Sequence, residues 1–316
     1  MIEEVSNLFS NCKELVDILN LEGGSLNENF YVKTNNGAMY IQRNFLSYNH
    51  LMKIDYLMKI IKDAGIPLMI NKKVLVLEDK NILIREFVEG RNYKLGNKED
   101  LKTAVEILSK FHGIDISNKN NIKYKYISIH DPYHWIGNFE ENYKKIELWS
   151  KRYSDLNFSL EILQENYYPK MKRNYEKLPI SITHGDFHGG NLIYNEKNHD
   201  ILSVIDFDTL GISSRICDIS YSWLLLCREK RGSFEINQQL SDYFFEEYTK
   251  NITFKIDELK MLKSILIMRL MPTPEYLCNL ERKRKDYFVN YLKWVRTAIN
   301  SLDSNLKKID ERFFYE

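Results

Sequence analysis

Hydrophobic and polar positions divide the chain into two parts, and the change of pattern falls near residue 88. Before it, short runs of β-branched and aromatic residues alternate with turn residues. The predicted strands cover 29–34, 38–43, 74–77 and 82–87. One helix is predicted at 51–64, where apolar residues recur on a single stripe and Gly65 marks the end. Residues 1–88 are therefore predicted to form a small antiparallel sheet with one packed helix.

The second part, 89–316, is mainly helical in its pattern. Its first helix is predicted to follow Asn97, a good N-cap residue, and to end at Gly113. Further helices are predicted at 155–177, 216–229, 256–270 and 282–302. The segment 180–208 breaks this helical pattern with short β-like runs that end in polar residues. Together the two parts predict an α+β fold with an N-terminal sheet and a larger helical region.

Composition narrows the choice of partners and of compartment. The chain has 45 Lys and Arg against 44 Asp and Glu, a net charge of +1, so nucleic acid is not expected as the main partner. Its four cysteines are scattered, which favours a reducing, cytoplasmic compartment. The N-terminus lacks the pattern of a signal peptide, and no apolar run reaches the ~18 residues of a membrane span. We therefore expect no membrane partner.

The polar residues of 180–208 match the requirements of phosphoryl transfer. That reaction needs a carboxylate to orient the attacking hydroxyl, and oxygen ligands that hold magnesium against a triphosphate. Asp186 and Asn191 stand five residues apart in the sequence HGDFHGGN, and Asp206 follows an apolar strand. A hairpin of strands 192–194 and 201–205 would bring Asp206 back beside Asn191. We therefore predict Asp186 as catalytic base and Asn191 with Asp206 as magnesium ligands.

These segments, HGDFHGGN and VIDFD, resemble the patterns H-G-D-x-x-x-x-N and I-D-[FW] of the aminoglycoside phosphotransferase and choline kinase superfamily. The resemblance implies a protein-kinase-like fold of two lobes, 1–88 and 89–316, with ATP and Mg²⁺ as cofactors. It also implies that Asp218 supports the catalytic loop from the start of a helix.

The resemblance extends to the N-terminal part of the chain. It implies that Gly23 and Gly24 lie in a loop that covers the phosphates, and that Arg43 pairs with a phosphate. The usual glutamate partner of that basic residue is replaced here by Asp55, which is one methylene shorter. Asp55 could instead pair with Lys59 on the surface of the same helix.

Adenine is expected to bind the segment that joins the two lobes. The resemblance implies that Glu86 offers a backbone carbonyl and Val88 a backbone amide, although an ordinary edge strand would show the same sequence. Asp208 is a candidate for substrate or second-metal binding, or for a simple turn. The aromatic residues between 133 and 149 either line a pocket or belong to an ordinary core or surface helix.

The acceptor is predicted only as a small-molecule alcohol. The resemblance admits aminoglycosides and other antibiotics, homoserine, choline, methylthioribose, and related sugars or amino alcohols. Two other functions stay open at this point. One is a metal-dependent hydrolase that uses His184, His188 and the nearby aspartates as ligands. The other is a non-catalytic kinase-like protein of the spore-coat type.

Overall fold

The computed structural model describes residues 15–21, 27–35, 37–44, 46–76, 80–116, 132, 135, 137–283 and 285–305. The chain divides into two compact units. The first comprises Met1–Asn92 together with Gly190–Asp208, and the second comprises Tyr93–Gly189 together with Thr209–Glu316. The predicted α+β fold is confirmed, with an N-terminal antiparallel sheet and a mainly helical C-terminal part.

Nine strands are found among the described residues. They are β1 (Leu15–Leu21), β2 (Glu28–Thr34), β3 (Gly37–Asn44), β4 (Lys73–Val76), β5 (Asn81–Glu86), β6 (Ile180–Thr183), β7 (Leu192–Tyr194), β8 (Ile201–Val204) and β9 (Gly211–Ser214). The first five form one antiparallel sheet in the order β1-β2-β3-β5-β4. The four strands predicted for the first part of the chain are all present.

Strand β1 is missing from the sequence-based prediction. The apolar residues of its sequence, LVDILNL, fall on both faces of the strand rather than alternating with polar ones. In the structure Val16 and Leu19 are exposed, by 55% and 51%. The period-2 signal of a half-buried strand is therefore absent, and only pairing with β2 identifies the segment as a strand.

The two faces of this sheet differ in chemistry. One face carries an apolar cluster of Phe30, Val32, Ile41 and Ile82. Strand β3 alternates, so that Tyr40, Gln42 and Asn44 point to the face opposite Ile41. The second face is therefore polar along β3, and this asymmetry determines which side chains can serve a site.

Ten α-helices are found among the described residues. They are α1 (Tyr48–Asp63), α2 (Lys98–Gly113), α3 (Phe139–Ser150), α4 (Ser154–Ile162), α5 (Tyr168–Asn174), α6 (Arg215–Leu226), α7 (Gln238–Thr249), α8 (Ile256–Leu270), α9 (Pro274–Lys283) and α10 (Lys285–Asn305). In α1 all five residues of the apolar stripe are buried, as the pattern predicts. In α2 the side chain of Asn97 accepts a hydrogen bond from the Asp100 amide at 2.9 Å, which confirms the predicted cap.

The helix predicted at 155–177 is interrupted. Helix α4 ends at Ile162, a π-helical turn covers Leu163–Tyr167, and α5 begins with Pro169 in its first turn. Proline has no amide hydrogen, so it cannot donate to the preceding turn, and the helical hydrogen bonding changes there. The prediction did not include α7 and α9.

The aromatic segment near 135 belongs to the core in the part that the structure describes. Trp135 and Phe139 are each 2% exposed, and the ring of Phe139 stacks on Tyr168 at 3.5 Å. Tyr133 and His134 lie outside the described residues. Within the described part of the chain, no helix has both the length and the hydrophobicity of a membrane span.

The hairpin of β7 and β8 belongs to the first unit, although it follows residue 189 in the sequence. The Val204 amide donates to the Pro67 carbonyl at 2.8 Å, and Arg91 and Tyr194 exchange backbone hydrogen bonds of 2.9 and 2.8 Å. Gly90 permits this contact, since a Cβ there would lie 2.3 Å from the Tyr194 oxygen. The hairpin is thus fixed to the segment that follows β5.

Candidate active site

The predicted catalytic loop, 184–189, lies in the second unit. It begins directly after β6, which pairs antiparallel with β9. Phe187 is fully buried and makes edge contacts with the rings of Phe111 and His184, with centroids 6.2 and 5.8 Å apart. Because Phe187 points into the core, its neighbours Asp186 and His188 remain partly exposed, each with 29% of its side chain accessible.

Asp218 holds the backbone of this loop from the first turn of α6. Its carboxylate accepts hydrogen bonds from the amides of His184 at 2.7 Å and Gly185 at 2.9 Å. His112 Nε2 lies 3.4 Å from the same carboxylate, and its Nδ1 lies 2.7 Å from the Tyr248 hydroxyl. The predicted support of the loop by Asp218 is confirmed.

The electrostatic environment keeps Asp218 ionised. Burial raises the pKa of the carboxyl, but the hydrogen bond and charge of His112, with the charges of His184 and Arg269, outweigh burial and lower it below its ordinary value. The position at the N-terminal turn of a helix also favours a negative charge.

Gly185 allows the loop to turn sharply at this point. Its φ angle is +81°, and an added Cβ would lie 2.6 Å from the Thr209 carbonyl oxygen. The Thr209 hydroxyl donates to the His184 carbonyl at 2.8 Å, and Arg269 donates to the Gly185 carbonyl. The backbone immediately before Asp186 is therefore determined by neighbouring elements rather than by the loop alone.

Asp186 is an accessible carboxylate with a low pKa. Burial raises the pKa of this group, but the hydrogen bond with His188 and the positive charges of His188, Arg269 and His184 lower it well below the usual range. His188 Nε2 lies 3.4 Å from the Asp186 carboxylate. At neutral pH Asp186 is therefore ionised and can accept a hydrogen bond from a hydroxyl group.

The predicted metal ligands lie at one end of the β7–β8 hairpin in the first unit. Leu192 pairs with Val204, and the Ile205 amide donates to the Asn191 carbonyl at 3.0 Å. The hairpin therefore brings Asp206 next to Asn191, as its predicted geometry requires. Asp206 has φ +63°, and it is the only residue other than glycine with a positive φ in the described part of the chain.

This conformation fits a metal ligand. A left-handed backbone costs a non-glycine residue roughly 1–3 kcal/mol and is found most often at functional positions. The amide oxygen of Asn191 and the carboxylate of Asp206 are hard oxygen donors of the kind that Mg²⁺ binds, with phosphate and water oxygens completing the shell. Among the described residues, no group of three His, Cys, Asp or Glu side chains could hold a metal, so the hydrolase interpretation lacks its cluster.

Asp208 connects the hairpin to the large sheet. It accepts hydrogen bonds from the side-chain amides of Asn27 and of Asn44, the latter at 3.0 and 3.1 Å from its two oxygens. Asn44 is the last residue of β3 and is completely buried. The polar face of the sheet is therefore the face that meets the residues after β8.

The structure describes some of the residues predicted to contact the nucleotide and not others. Gly23 and Gly24 lie outside the described residues. Arg43 lies on the same face of β3 as Ile41, with its Nε 2.7 Å from Glu28, and Asp55 forms an ion pair of 2.8 Å with Lys59. The predicted pairing of Arg43 with Asp55 stays a prediction.

The adenine-binding segment lies at the end of β5. Glu86 is the last residue of that strand and is exposed, and its carboxylate pairs with Lys72 at 2.5 Å. Val88 follows in a segment that belongs to no strand or helix. Their backbone roles also stay predictions.

Arg85 was missed by the sequence-based search. It stands opposite Tyr40 in the register of β3 and β5, and only 6% of it is exposed. Burial lowers the pKa of its guanidinium, whereas the charges of Tyr40, Asp208, Asp206 and Asp55 raise it. A buried arginine thus faces the carboxylates that follow β8. The sequence did contain a signal, since Arg85 is a charged residue within the largely apolar strand NILIRE. Charged side chains are rarely buried without a partner, so a charge at such a position is a candidate for a functional role.

Known proteins share the sequence family and the fold of this chain. Residues 17–250 match the phosphotransferase enzyme family. A microcompartment-associated aminopropanol kinase has a similar fold, with a TM-score of 0.69 and 14% identity over 96% of this chain and 98% of that one. The spectinomycin phosphotransferase in complex with ADP and spectinomycin gives a TM-score of 0.67 and 13% identity, over 96% and 98%.

A curated relative was found as well. Acyl-CoA dehydrogenase family member 10 of Mus musculus is 21% identical over 237 residues, a match that covers 66% of this chain and 20% of the mouse protein. The predicted resemblance and the kinase-like fold are confirmed. The family match covers most of the residues of this chain, which therefore belongs to the phosphotransferase enzyme family.

Proposed function

We propose that this chain transfers the γ-phosphate of ATP to a hydroxyl group of a small molecule. Asp186 acts as catalytic base, and Asn191 with Asp206 holds the magnesium ion. The observation that carries the proposal is the state of Asp186, an ionised and accessible carboxylate on a loop whose backbone is held by Asp218. The family membership gives the reaction class.

In the proposed reaction the acceptor oxygen forms a bond to the γ-phosphorus. The bond between that phosphorus and the oxygen of the β-phosphate breaks, ADP leaves, and the proton of the acceptor hydroxyl passes to the Asp186 carboxylate. A carboxylate with a low pKa is a weak base, so the main contribution of Asp186 is to orient the hydroxyl. Magnesium, when bound, supplies positive charge to the phosphate oxygens.

Other residues have supporting roles in this proposal. Gly23 and Gly24 cover the phosphates, Arg43 contacts them, and Glu86 and Val88 bind adenine through backbone groups. The cytoplasm is the compartment in which we expect the reaction to take place. The small-molecule kinases among the proteins of similar fold make an alcohol acceptor the natural choice.

The test compares Asp186→Ala and Asp206→Asn with the wild type in a screen of alcohols with ATP, in which ADP release above the no-acceptor background is measured. We expect Asp186→Ala to lower turnover by about two to four powers of ten. Asp206→Asn should abolish magnesium-dependent turnover with the fold intact.

Asp200→Asn is the matched control, because Asp200 is an exposed aspartate at the turn of the same hairpin. It should keep wild-type activity. If Asp206→Asn were as active as the wild type, the metal assignment would be wrong. If the wild type released no ADP with any alcohol, the non-catalytic alternative would be favoured instead.

A further inference from the structure

Asp208 ends the first unit, and its side chain is hydrogen-bonded to residues of the large sheet. The side-chain amide of Asn44 lies 3.0 and 3.1 Å from the two carboxylate oxygens, and the side-chain amide of Asn27 donates to one of them. These donors stand 164 and 181 residues away in the chain. A turn-forming aspartate bonds to nearby backbone instead, so Asp208 is not a simple turn residue.

Asn27 and Asn44 are neighbours on the polar face of the sheet. The register of β2 and β3 pairs Glu28 with Arg43, so the next positions, Asn27 and Asn44, lie opposite each other. Because side chains alternate along a strand, both point away from the face that carries the ion pair of Arg43 and Glu28. Their common contact with Asp208 agrees with this placement. We call these two residues the asparagine pair.

The carboxamide of Asn44 is held in one orientation. Its oxygen accepts a hydrogen bond from the Leu46 amide at 2.8 Å, so its NH₂ group points the other way, toward Asp208. That NH₂ group also lies 3.3 Å from the side-chain oxygen of Gln42. Asn44 is completely buried, and a buried donor that loses its acceptor is costly. The sheet therefore offers a fixed donor to the Asp208 carboxylate.

This contact fixes the chain just after Asp206. Just before Asp206, the Ile205 amide donates to the Asn191 carbonyl at 3.0 Å. Asp206 itself has φ +63°, a conformation that costs a residue other than glycine free energy and persists only where the surrounding contacts determine it. The hydrogen bonds of Ile205 and of Asp208 supply such contacts on both sides of Asp206.

A direct contact of Asp208 with a metal ion does not fit these hydrogen bonds. Both carboxylate oxygens already accept from side-chain amides, and a cation at either oxygen would meet NH₂ groups, which are donors. Within the described ranges, no three His, Cys, Asp or Glu side chains are arranged to hold a metal. The contacts of Asp208 therefore suit a residue that fixes the backbone.

We propose that Asp208 is a positioning residue of the magnesium site, which holds Asp206 in its ion-binding conformation through the hydrogen bonds to the asparagine pair. The inference rests on the proposed function, in which Asp206 is a magnesium ligand. It replaces the substrate and second-metal roles considered for Asp208. It also makes magnesium binding depend on the large sheet, because Asn44 is the last residue of β3.

The test measures the binding of ADP by calorimetric titration, once with magnesium and once with EDTA. The ratio of the two affinities, here called the magnesium gain, needs no acceptor and no turnover. We expect Asp208→Asn to lower the magnesium gain by about 10-fold, as is usual for residues that orient a metal ligand. The affinity in EDTA should change much less, whereas a general loss of structure would lower both affinities.

An exchange that conserves charge separates positioning from direct ligation. In Asn44→Asp two carboxylates face each other, so this variant should also lose magnesium gain. The double variant of Asn44→Asp and Asp208→Asn again places one carboxylate against one amide, with an acceptor still available to the Leu46 amide. It should recover most of the gain. A double variant no better than Asp208→Asn would overturn the proposal, because a direct ligand is not restored by moving its charge to another strand.

Asp200→Asn is the matched control. Asp200 accepts a hydrogen bond from the Asn198 side chain at 2.8 Å in the exposed turn of the same hairpin, so the change removes a similar contact away from the site. It should keep the wild-type magnesium gain. Thermal unfolding without nucleotide shows whether each variant folds. If Asp208→Asn does not, Asn27→Ala removes one donor and leaves Asn44 in place, and a smaller loss of gain is expected.

Failure of the proposed function gives a different result from failure of this inference. If the wild type shows no magnesium gain, or if Asp206→Asn keeps it in full, the metal assignment is wrong and the positioning role falls with it. If Asp206→Asn loses the gain but Asp208→Asn and Asn27→Ala keep it, only the positioning role is overturned. Loss in Asp208→Asn with recovery in the double variant supports the inference.

Discussion

The carboxylate of Asp218 accepts two backbone hydrogen bonds from the residues that precede Asp186. Replacing it with asparagine leaves one oxygen acceptor and puts an NH₂ group against a backbone donor. A buried donor without a partner costs about 1–3 kcal/mol. The loss distorts the loop, so it lowers stability and shifts Asp186, the proposed catalytic base.

We predict that Asp218→Asn lowers the free energy of unfolding at pH 7 by about 2 kcal/mol, measured by urea denaturation. A carboxyl with a lowered pKa in the folded state stabilises the fold above its unfolded pKa, and this contribution is lost as the pH falls through the folded pKa. The difference between variant and wild type should therefore shrink on acidification. Asp242→Asn, an exposed change, is the control, and an equal loss at every pH would contradict the prediction.

At the level of single residues, local sequence was enough for some assignments and not for others. Asp186 could be proposed and the contacts of Asp218 predicted because they depend on a short loop and on the first turn of a helix, both visible as motifs. Arg85 could not, because its burial beside Tyr40 depends on how β3 and β5 pair. A shift of one residue in that register would have turned the arginine to the other face.

At the level of elements, helix α2 shows how a sequence signal determines a boundary. Asn97 accepts a hydrogen bond from the Asp100 amide and so satisfies one of the free donors of the first turn. The helix carries Phe111, which contacts His184 of the proposed catalytic loop, and His112, which contacts Asp218. A less stable α2 would therefore also disturb the loop that carries Asp186.

We predict that Asn97→Ala destabilises the protein by about 1 kcal/mol, measured by urea denaturation. Asn138 offers a matched control, because it occupies the N-cap position of α3 and forms no capping hydrogen bond with its side chain. Asn138→Ala should therefore cost much less. Equal losses in the two variants would show that the hydrogen bond does not contribute.

Elements without a strong local signal were predicted less well. Strand β1 has apolar residues on both faces, and its pairing with β2 alone makes it a strand. The helix predicted at 155–177 has a continuous apolar pattern, but Pro169 breaks the hydrogen bonding within it. Apolar periodicity therefore predicted neither segment fully. Pairing with β2 decided the structure of β1, and the missing amide hydrogen of Pro169 decided that of 155–177.

At the level of the whole molecule, ligand binding is expected to be visible in stability. A ligand that binds only the folded state stabilises it by RT ln(1 + [L]/Kd), or about 2.7 kcal/mol at one hundred times Kd. If Asn191 and Asp206 hold magnesium, the stabilisation by ADP should depend on that ion.

We predict that ADP with magnesium raises the midpoint of thermal unfolding by roughly 5 °C, and that EDTA removes most of this shift. In Asp206→Asn the shifts with and without magnesium should be equal, whereas Asp200→Asn should behave as the wild type. A full magnesium-dependent shift in Asp206→Asn would contradict the assignment of that ligand. The measurement needs no acceptor, so it tests nucleotide binding separately from transfer.

The sequence by itself determined the α+β class, most strands and helices, and the family, because each depends on local periodicity or on a short motif. Only the tertiary structure decided which face of the sheet is polar, where Arg85 and Arg43 point, and that the β7–β8 hairpin joins the first unit. These features depend on strand register and on hydrogen bonds between residues far apart in the chain. A periodic pattern shows which residues share a face of one element, but not which distant residues pair with each other.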